Sequence, residues 1–107
     1  RARKHVDDSG VKHYEIYGPL FFGSTTAFAE KFDVQNDPDE IIVDFKESRI
    51  VDMSAIEAVN KLTERYLKMG KVVHLKHLSP DCITLLENAD QLIDVNVMED
   101  PTYKVVS

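Results

Sequence analysis

Ile41-Ile42-Val43, running on through Asp44 to Phe45, is apolar on both parities and β-branched. A short run of that kind reads as a central strand of a parallel sheet, because helices cover both of its faces. It is followed by the best helical repeat in the chain, Ser54 to Met69. There Ala55, Ala58/Val59, Leu62, Tyr66 and Met69 recur every three or four positions, and Gly70 stands where a helix C-cap belongs. Lys71 to His77 then resumes as a strand. A strand, a long helix and a second strand in that order form a crossover, which implies parallel pairing.

The alternation extends in both directions. Val11 to Tyr17 alternates in polarity and reads as a strand, which Gly18-Pro19 ends. Leu20, Phe21 and Phe22 form an apolar knot too crowded to enter one core from a short turn, so at least one is expected at the surface. Ser24 or Thr25 caps a short helix to about Phe32, with Phe28 and Phe32 on one face. Asp37-Pro38-Asp39 makes a polar turn. Ser79-Pro80-Asp81 starts a further helix, with Cys82, Leu85, Leu86 and Ala89 as its stripe. Val95 to Met98 is a last strand, and Pro101 begins a tail. The order β-α-β-α-β-α-β predicts an α/β fold, a mostly parallel sheet of four to five strands with helices packed on it. Functional residues in such sheets gather at the carboxyl ends of the strands. Here those ends are the Gly18–Ser24, Asp44–Ser54 and His77–Asp81 loops.

Composition narrows the function classes. The 107 residues fit one domain. No apolar run approaches the roughly 18 residues needed to span a bilayer. A net charge of −6 argues against general nucleic-acid binding, which needs a positive surface. Cys82, the single cysteine, cannot form an internal disulfide or a CxxC pair. Arg1, Arg3 and Lys4 crowd the start, so residues 1–10 read as a basic linker from an upstream segment and 11–107 as the domain. Lys61, Arg65, Lys68, Lys71 and Lys76 make the middle of the chain basic, whereas 81–100 is acidic. That pattern reads as solvated surface, or as a patch for electrostatic docking.

Little in the chain points to catalysis or to a metal. His74 and His77 differ by an odd number along a strand and so point to opposite faces. No zinc set, nucleophile elbow or Walker A loop can be assembled, and no enzyme is expected. Ser54 with Glu57 fits a capping box at the start of the long helix. A phosphate on Ser54 would meet the helix N-terminus and crowd Asp52 and Asp44.

The stretch Asp44 to Val59, with Val51-Asp52-Met53-Ser54-Ala55-Ile56 at its centre, resembles the signature of STAS domains, named for sulfate transporters and anti-sigma-factor antagonists. Glu15-Ile-Tyr-Gly-Pro-Leu-Phe-Phe-Gly23 resembles the matching stretch of the SulP branch, the anion permeases. The resemblance covers about Val11 to Met98. It implies a non-catalytic regulatory domain on the cytoplasmic face of a bacterial inner membrane, docked on a transmembrane domain of the same polypeptide. It also implies a homodimer or a cytosolic regulatory protein as further partners, with Asp44, Asp52, Leu20, Phe21 and Phe22 as the docking surface. The antagonist branch implies the alternative, a switch phosphorylated at Ser54, with Met53 and Ala55 departing from that branch's serine and glycine. No obligatory cofactor is implied. Nucleotide binding reported for some members would fall on the loops bearing Gly18, Gly23, Ser24 and Ser79.

Overall fold

The computed structural model describes residues 2–80 and Thr84. The stripe expected at Cys82–Ala89, the strand at Val95–Met98, the tail from Pro101 and the acidic stretch lie outside them. The described chain forms β1 (Ala2–Val6), β2 (Lys12–Leu20), a 3-10 turn (Phe22–Ser24), α1 (Thr25–Glu30), β3 (Glu40–Ile50), α2 (Met53–Lys68) and β4 (Val72–Lys76). The strands stand in the order β1-β2-β3-β4. β2, β3 and β4 are parallel, and β1 runs antiparallel to β2. Pro80 and Thr84 are helical, and Thr84 Oγ1 donates to the Pro80 carbonyl (3.0 Å), in keeping with the expected helix start.

Both helices pack on one face of the sheet. That face presents Tyr14, Ile16 and Leu20 from β2, Ile41, Val43 and Phe45 from β3, and Leu75 from β4. α1 contributes Phe28, and α2 contributes Ala55, Ile56, Val59, Leu62 and Tyr66. Each large aliphatic or aromatic side chain so buried stabilises the fold by about 1.5–3 kcal/mol. Phe28 and Phe32 meet edge to face with centroids 5.1 Å apart, and Phe32 reaches Tyr14 at 4.4 Å. Gly70 holds φ +72 and its N–H donates to the Leu67 carbonyl (3.0 Å), which ends α2 as expected. No helix among the described residues is long and apolar enough to cross a membrane.

Three strand boundaries differ from the sequence reading. Arg3 and Lys4, expected in a linker, lie in β1 and pair with Glu15 and Tyr14. β2 does not stop at Gly18-Pro19 but continues to Leu20, opposite Ile50. Pairing with β1 ends at Ile16, so Pro19 lies where β2 has a strand on one side only, and its missing N–H costs no ladder bond. β3 likewise runs past Asp44 to Ile50, leaving only Val51 and Asp52 between strand and helix.

Candidate functional site

The carboxyl ends of β2 and β3 converge on one small structure. The Val51 N–H donates to the Leu20 carbonyl (3.0 Å), tying the two strand exits together. Asp52, extended at φ −151, is the N-cap of α2 and accepts from the Ala55 N–H through Oδ1 (2.9 Å). Its other oxygen accepts from the Phe22 N–H (3.0 Å). One carboxylate thus starts the helix and fixes the turn that carries the aromatic pair. Ser24 closes that turn, its Oγ accepting from the Phe21 N–H (3.0 Å). A Cβ on Gly23 would lie 2.7 Å from the Phe21 ring, so a larger residue there would push that half-exposed ring aside.

Side chains leave this frame in different directions. Leu20 enters the core at 3 % exposure, which removes it from the expected docking surface. Phe22 is 75 % exposed, Phe21 42 % and Val51 41 %, an apolar edge at the strand exits. Beside it a cleft of about 440 Å³ opens between α1 and α2, with Phe22 and Ser54 near its start and Lys61 and Arg65 farther along α2.

Ser54 does not cap α2. Asp52 does, and Ser54 is the second residue of the helix, half-buried against the cleft. Both residues are cap-competent, and the earlier one wins because it starts the helix two residues sooner while also serving Phe22. Asp44 does not share a lip with Asp52. Six residues of strand, about 20 Å at roughly 3.3 Å each, part it from Ile50. Its Oδ1 lies 3.0 Å from His77 Nδ1 and also accepts from the Lys46 N–H (2.9 Å). His77 leaves β4 with φ +60, and this left-handed step turns it to the face that Asp44 shares with His74, against the parity expectation.

Of the two loops expected to cradle phosphate, the Gly18–Ser24 loop is differently used. Gly18 lies inside β2, and the N–H groups of Phe21, Phe22 and Ser24 all have protein acceptors. An Asp52 oxygen facing the turn would further repel a phosphate there. Ser79 precedes helical Pro80.

The cluster that sequence reasoning missed lies under the opposite end of the sheet. Asp37, expected in a polar turn, is 5 % exposed. It accepts from Tyr14 Oη (2.6 Å), Tyr66 Oη (2.5 Å) and Lys12 Nζ (2.6 Å). Burial opposes its charge, but those three donors outweigh it and hold the Asp37 carboxyl below its usual range. Burial and the neighbouring carboxylate push both tyrosines upward. Lys71, expected on the solvated surface, is 7 % exposed. Its Nζ donates to the carbonyls of Val34 (2.7 Å), Gln35 (3.1 Å) and Asp37 (2.6 Å). This network pins the loop before β3 to β2 and α2. Only Asp-Pro adjacency and a lysine abutting a helix C-cap marked it in the sequence.

Comparison with known proteins agrees with this architecture. The chain is 26 % identical over 83 residues to the putative sulfate transporter YbaR of Bacillus subtilis (strain 168), covering 78 % of this chain and 17 % of that protein. It therefore spans less than a fifth of that relative's length. A sulfate transporter family protein from Wolinella succinogenes superposes with TM-score 0.65 at 27 % identity, over 81 % of this chain and 71 % of that one. The STAS-domain anti-sigma-factor antagonist of Rhodobacter sphaeroides has the same fold, with TM-score 0.65 at 22 % identity over 70 % and 83 % of the two chains. The STAS domain profile matches residues 4–105, and the chain belongs to the STAS domain family.

Proposed function

We propose that this chain is a non-catalytic regulatory domain of a SulP-type anion transporter, held at the cytoplasmic face of the membrane and acting by contact. The observation that carries the reading is the solvated Phe21–Phe22 edge, fixed to the start of α2 by Asp52. Aromatic side chains on a rigid frame are what interface cores use, and an exposed one of this size adds little to the fold itself. The likeness to the Bacillus and Wolinella transporter proteins supports the same reading. In it, Phe21, Phe22 and Val51 face the membrane-embedded part or a partner seated on it. A domain that binds two transport states unequally shifts transport by the difference in affinity.

The test is anion uptake by the complete polypeptide that carries this chain, with Phe22→Ser compared at matched membrane abundance across sulfate, bicarbonate and dicarboxylates. A several-fold change in uptake is expected, and identical uptake of every anion overturns the reading. A second reading, an antagonist-type switch, is favoured by the half-exposed position of Ser54 in the first turn of α2. It requires stoichiometric phosphate on Ser54 after incubation with native lysate and ATP.

A further inference from the structure

The charge along β1 is polarised: Arg3 and Lys4 stand at its start, and Asp7 and Asp8 just past its end. β1 has β2 on one side and no other strand beyond it among the described residues. Its ladder with β2 fixes which backbone groups are used. The Asp7 N–H donates to the Val11 carbonyl (2.9 Å), and an antiparallel ladder exchanges bonds at every second pair. Arg3, His5 and Asp7 therefore bond toward β2, whereas the N–H and C=O groups of Lys4 and Val6 point away from it. Arg3 to Val6 are exposed, so this outer edge is a template for another strand.

We infer that β1 pairs antiparallel with β1 of a second copy of this chain, Lys4 opposite the partner's Val6, so that one sheet runs through a two-fold dimer. This goes beyond the transporter reading and does not depend on it. A two-fold axis returns the same strand reversed, so the basic start of each β1 meets the acidic end of the other. In this register Lys4 and the partner's Val6 exchange both of their outward backbone bonds. His5 faces the partner's His5 on the axis, and Arg3 faces the partner's Asp7. Directly opposed positions on one sheet face are where opposite charges stabilise a strand pair. Asp7 Oδ2 lies 2.8 Å from His13 Nε2, and a carboxylate oxygen has capacity for a second donor. Lys4 lies diagonal to the partner's Asp8, within reach of a long side chain.

Charge selects this register over its neighbours. Sliding the pair one way sets Lys4 against the partner's Lys4, and like charges so opposed are destabilising. Sliding it the other way carries Arg3 past the strand to the partner's Ser9. That residue lies in the turn closed by the Gly10 N–H on the Asp7 carbonyl (3.0 Å). A parallel pairing would lay Arg3 and Lys4 beside their own copies. Lysine on an edge ordinarily wards off other strands. Here it does so against every approach except the one that brings Asp7 and Asp8 alongside.

A strand edge of this length buries less than the about 1,200 Å² of a standard interface, so the dimer forms at high chain concentration. Sedimentation of the full chain up to about 1 mM should show reversible dimerisation. Val6→Pro and Lys4→Pro each remove an N–H that points away from β2, and proline is tolerated at such edge positions. Each should weaken the dimer about tenfold or more, with thermal melts reporting that the variant is folded. Cross-linking tests the register separately, in a Cys82→Ser background and glutathione buffer at pH 8. His5→Cys places two thiols opposite each other at a Cα spacing of about 4.5 Å, within disulfide range. It should cross-link to itself about tenfold more than Lys4→Cys, and this arm decides where a proline variant unfolds. A monomer throughout the range, a dimer untouched by both prolines, or equal cross-linking of the two cysteine variants overturns the proposal.

Discussion

Asp52 and Phe22, thirty residues apart, are joined by a 3.0 Å bond from a backbone N–H to a carboxylate that also caps α2. Helix start and aromatic turn are thus one unit. Asp52→Ala removes both bonds and is expected to lower stability by about 1–2 kcal/mol, the upper range for a lost N-cap. Asp52→Asn retains an acceptor for Ala55 and should lose less than about 1 kcal/mol. Ser54→Ala, which removes no cap, should change the urea midpoint little. Urea unfolding of the three variants checks the ranking.

Asp37 is the internal counterpart of that cap. Asp37→Ala strands two tyrosine hydroxyls and the Lys12 ammonium, and an expected loss of about 3 kcal/mol follows from breaking a buried charged network. Lys12 keeps some access to water, which holds the figure toward the low end. Tyr66→Phe deletes one bond and keeps the ring, so about 1–2 kcal/mol is expected. Chemical denaturation at pH 7 measures both. A smaller loss for Asp37→Ala than for Tyr66→Phe would contradict the hub assignment.

The same cluster sets the pH window. The Asp37 carboxyl is held below its unfolded value, so its contribution is complete above about pH 4. That contribution is lost as pH falls through the lower folded value. Tyr14 and Tyr66 are shifted the other way, upward by burial and by the Asp37 charge. The unfolded chain ionises its tyrosines near pH 10 while the folded one resists, so stability declines above about pH 10. Lys12 is raised despite burial, because its bonds to Asp37 and Tyr14 outweigh desolvation. Melting temperatures from pH 2 to 11 should show a plateau with both flanks. Tyr66→Phe should shrink the alkaline flank and, because it removes one of the three donors that hold Asp37 down, soften the acid one as well.

Gly70 ends α2 at φ +72 with open space around the position a Cβ would take. Gly70→Ala therefore meets no clash and only the left-handed backbone penalty, about 1 kcal/mol. Gly18→Ala, at φ +83 and equally uncrowded, should lose a similar amount. Thermal melts of the two single variants and of the double test this. Near-additive losses are expected, because the sites lie at opposite ends of the sheet.

The parallel core was legible from Ile41-Ile42-Val43 and the stripe of α2, because burial on both faces and a 3.6-residue period leave direct marks in sequence. Strand ends were less so. Pro19 reads as a terminator by itself, and only the position of β1 relative to β2 shows that its side of the strand has no partner to lose. β1 was missed because Arg3, Lys4 and His5 look like a leader, and charge on an edge strand carries no burial signal. At the site, Asp52 and Phe22 were both named from sequence, but not their bond, which depends on how two loops meet. Asp37 and Lys71 were read as solvent-facing because polar residues near turns usually are. Their burial follows from partners on β2, α2 and the 34–37 loop that sequence spacing does not bring together.

Phe22 separates fold from function most cleanly. It is three-quarters exposed and uses its backbone, not its ring, to bond Asp52. Phe22→Ser keeps that N–H, so the stability of the isolated chain should stay within about 0.5 kcal/mol. Phe28→Ser, one turn into α1 and buried against Phe32 and Phe45, should instead cost several kcal/mol. Under the transporter reading, binding of the two variants to the detergent-solubilised parent polypeptide lacking this domain then distinguishes an exposed anchor from a core residue. Phe22→Ser is expected to fold as wild type yet bind at least about tenfold more weakly, the loss typical of a hot-spot aromatic. Wild-type affinity for a folded Phe22→Ser chain would mean that the aromatic edge does not face the transporter.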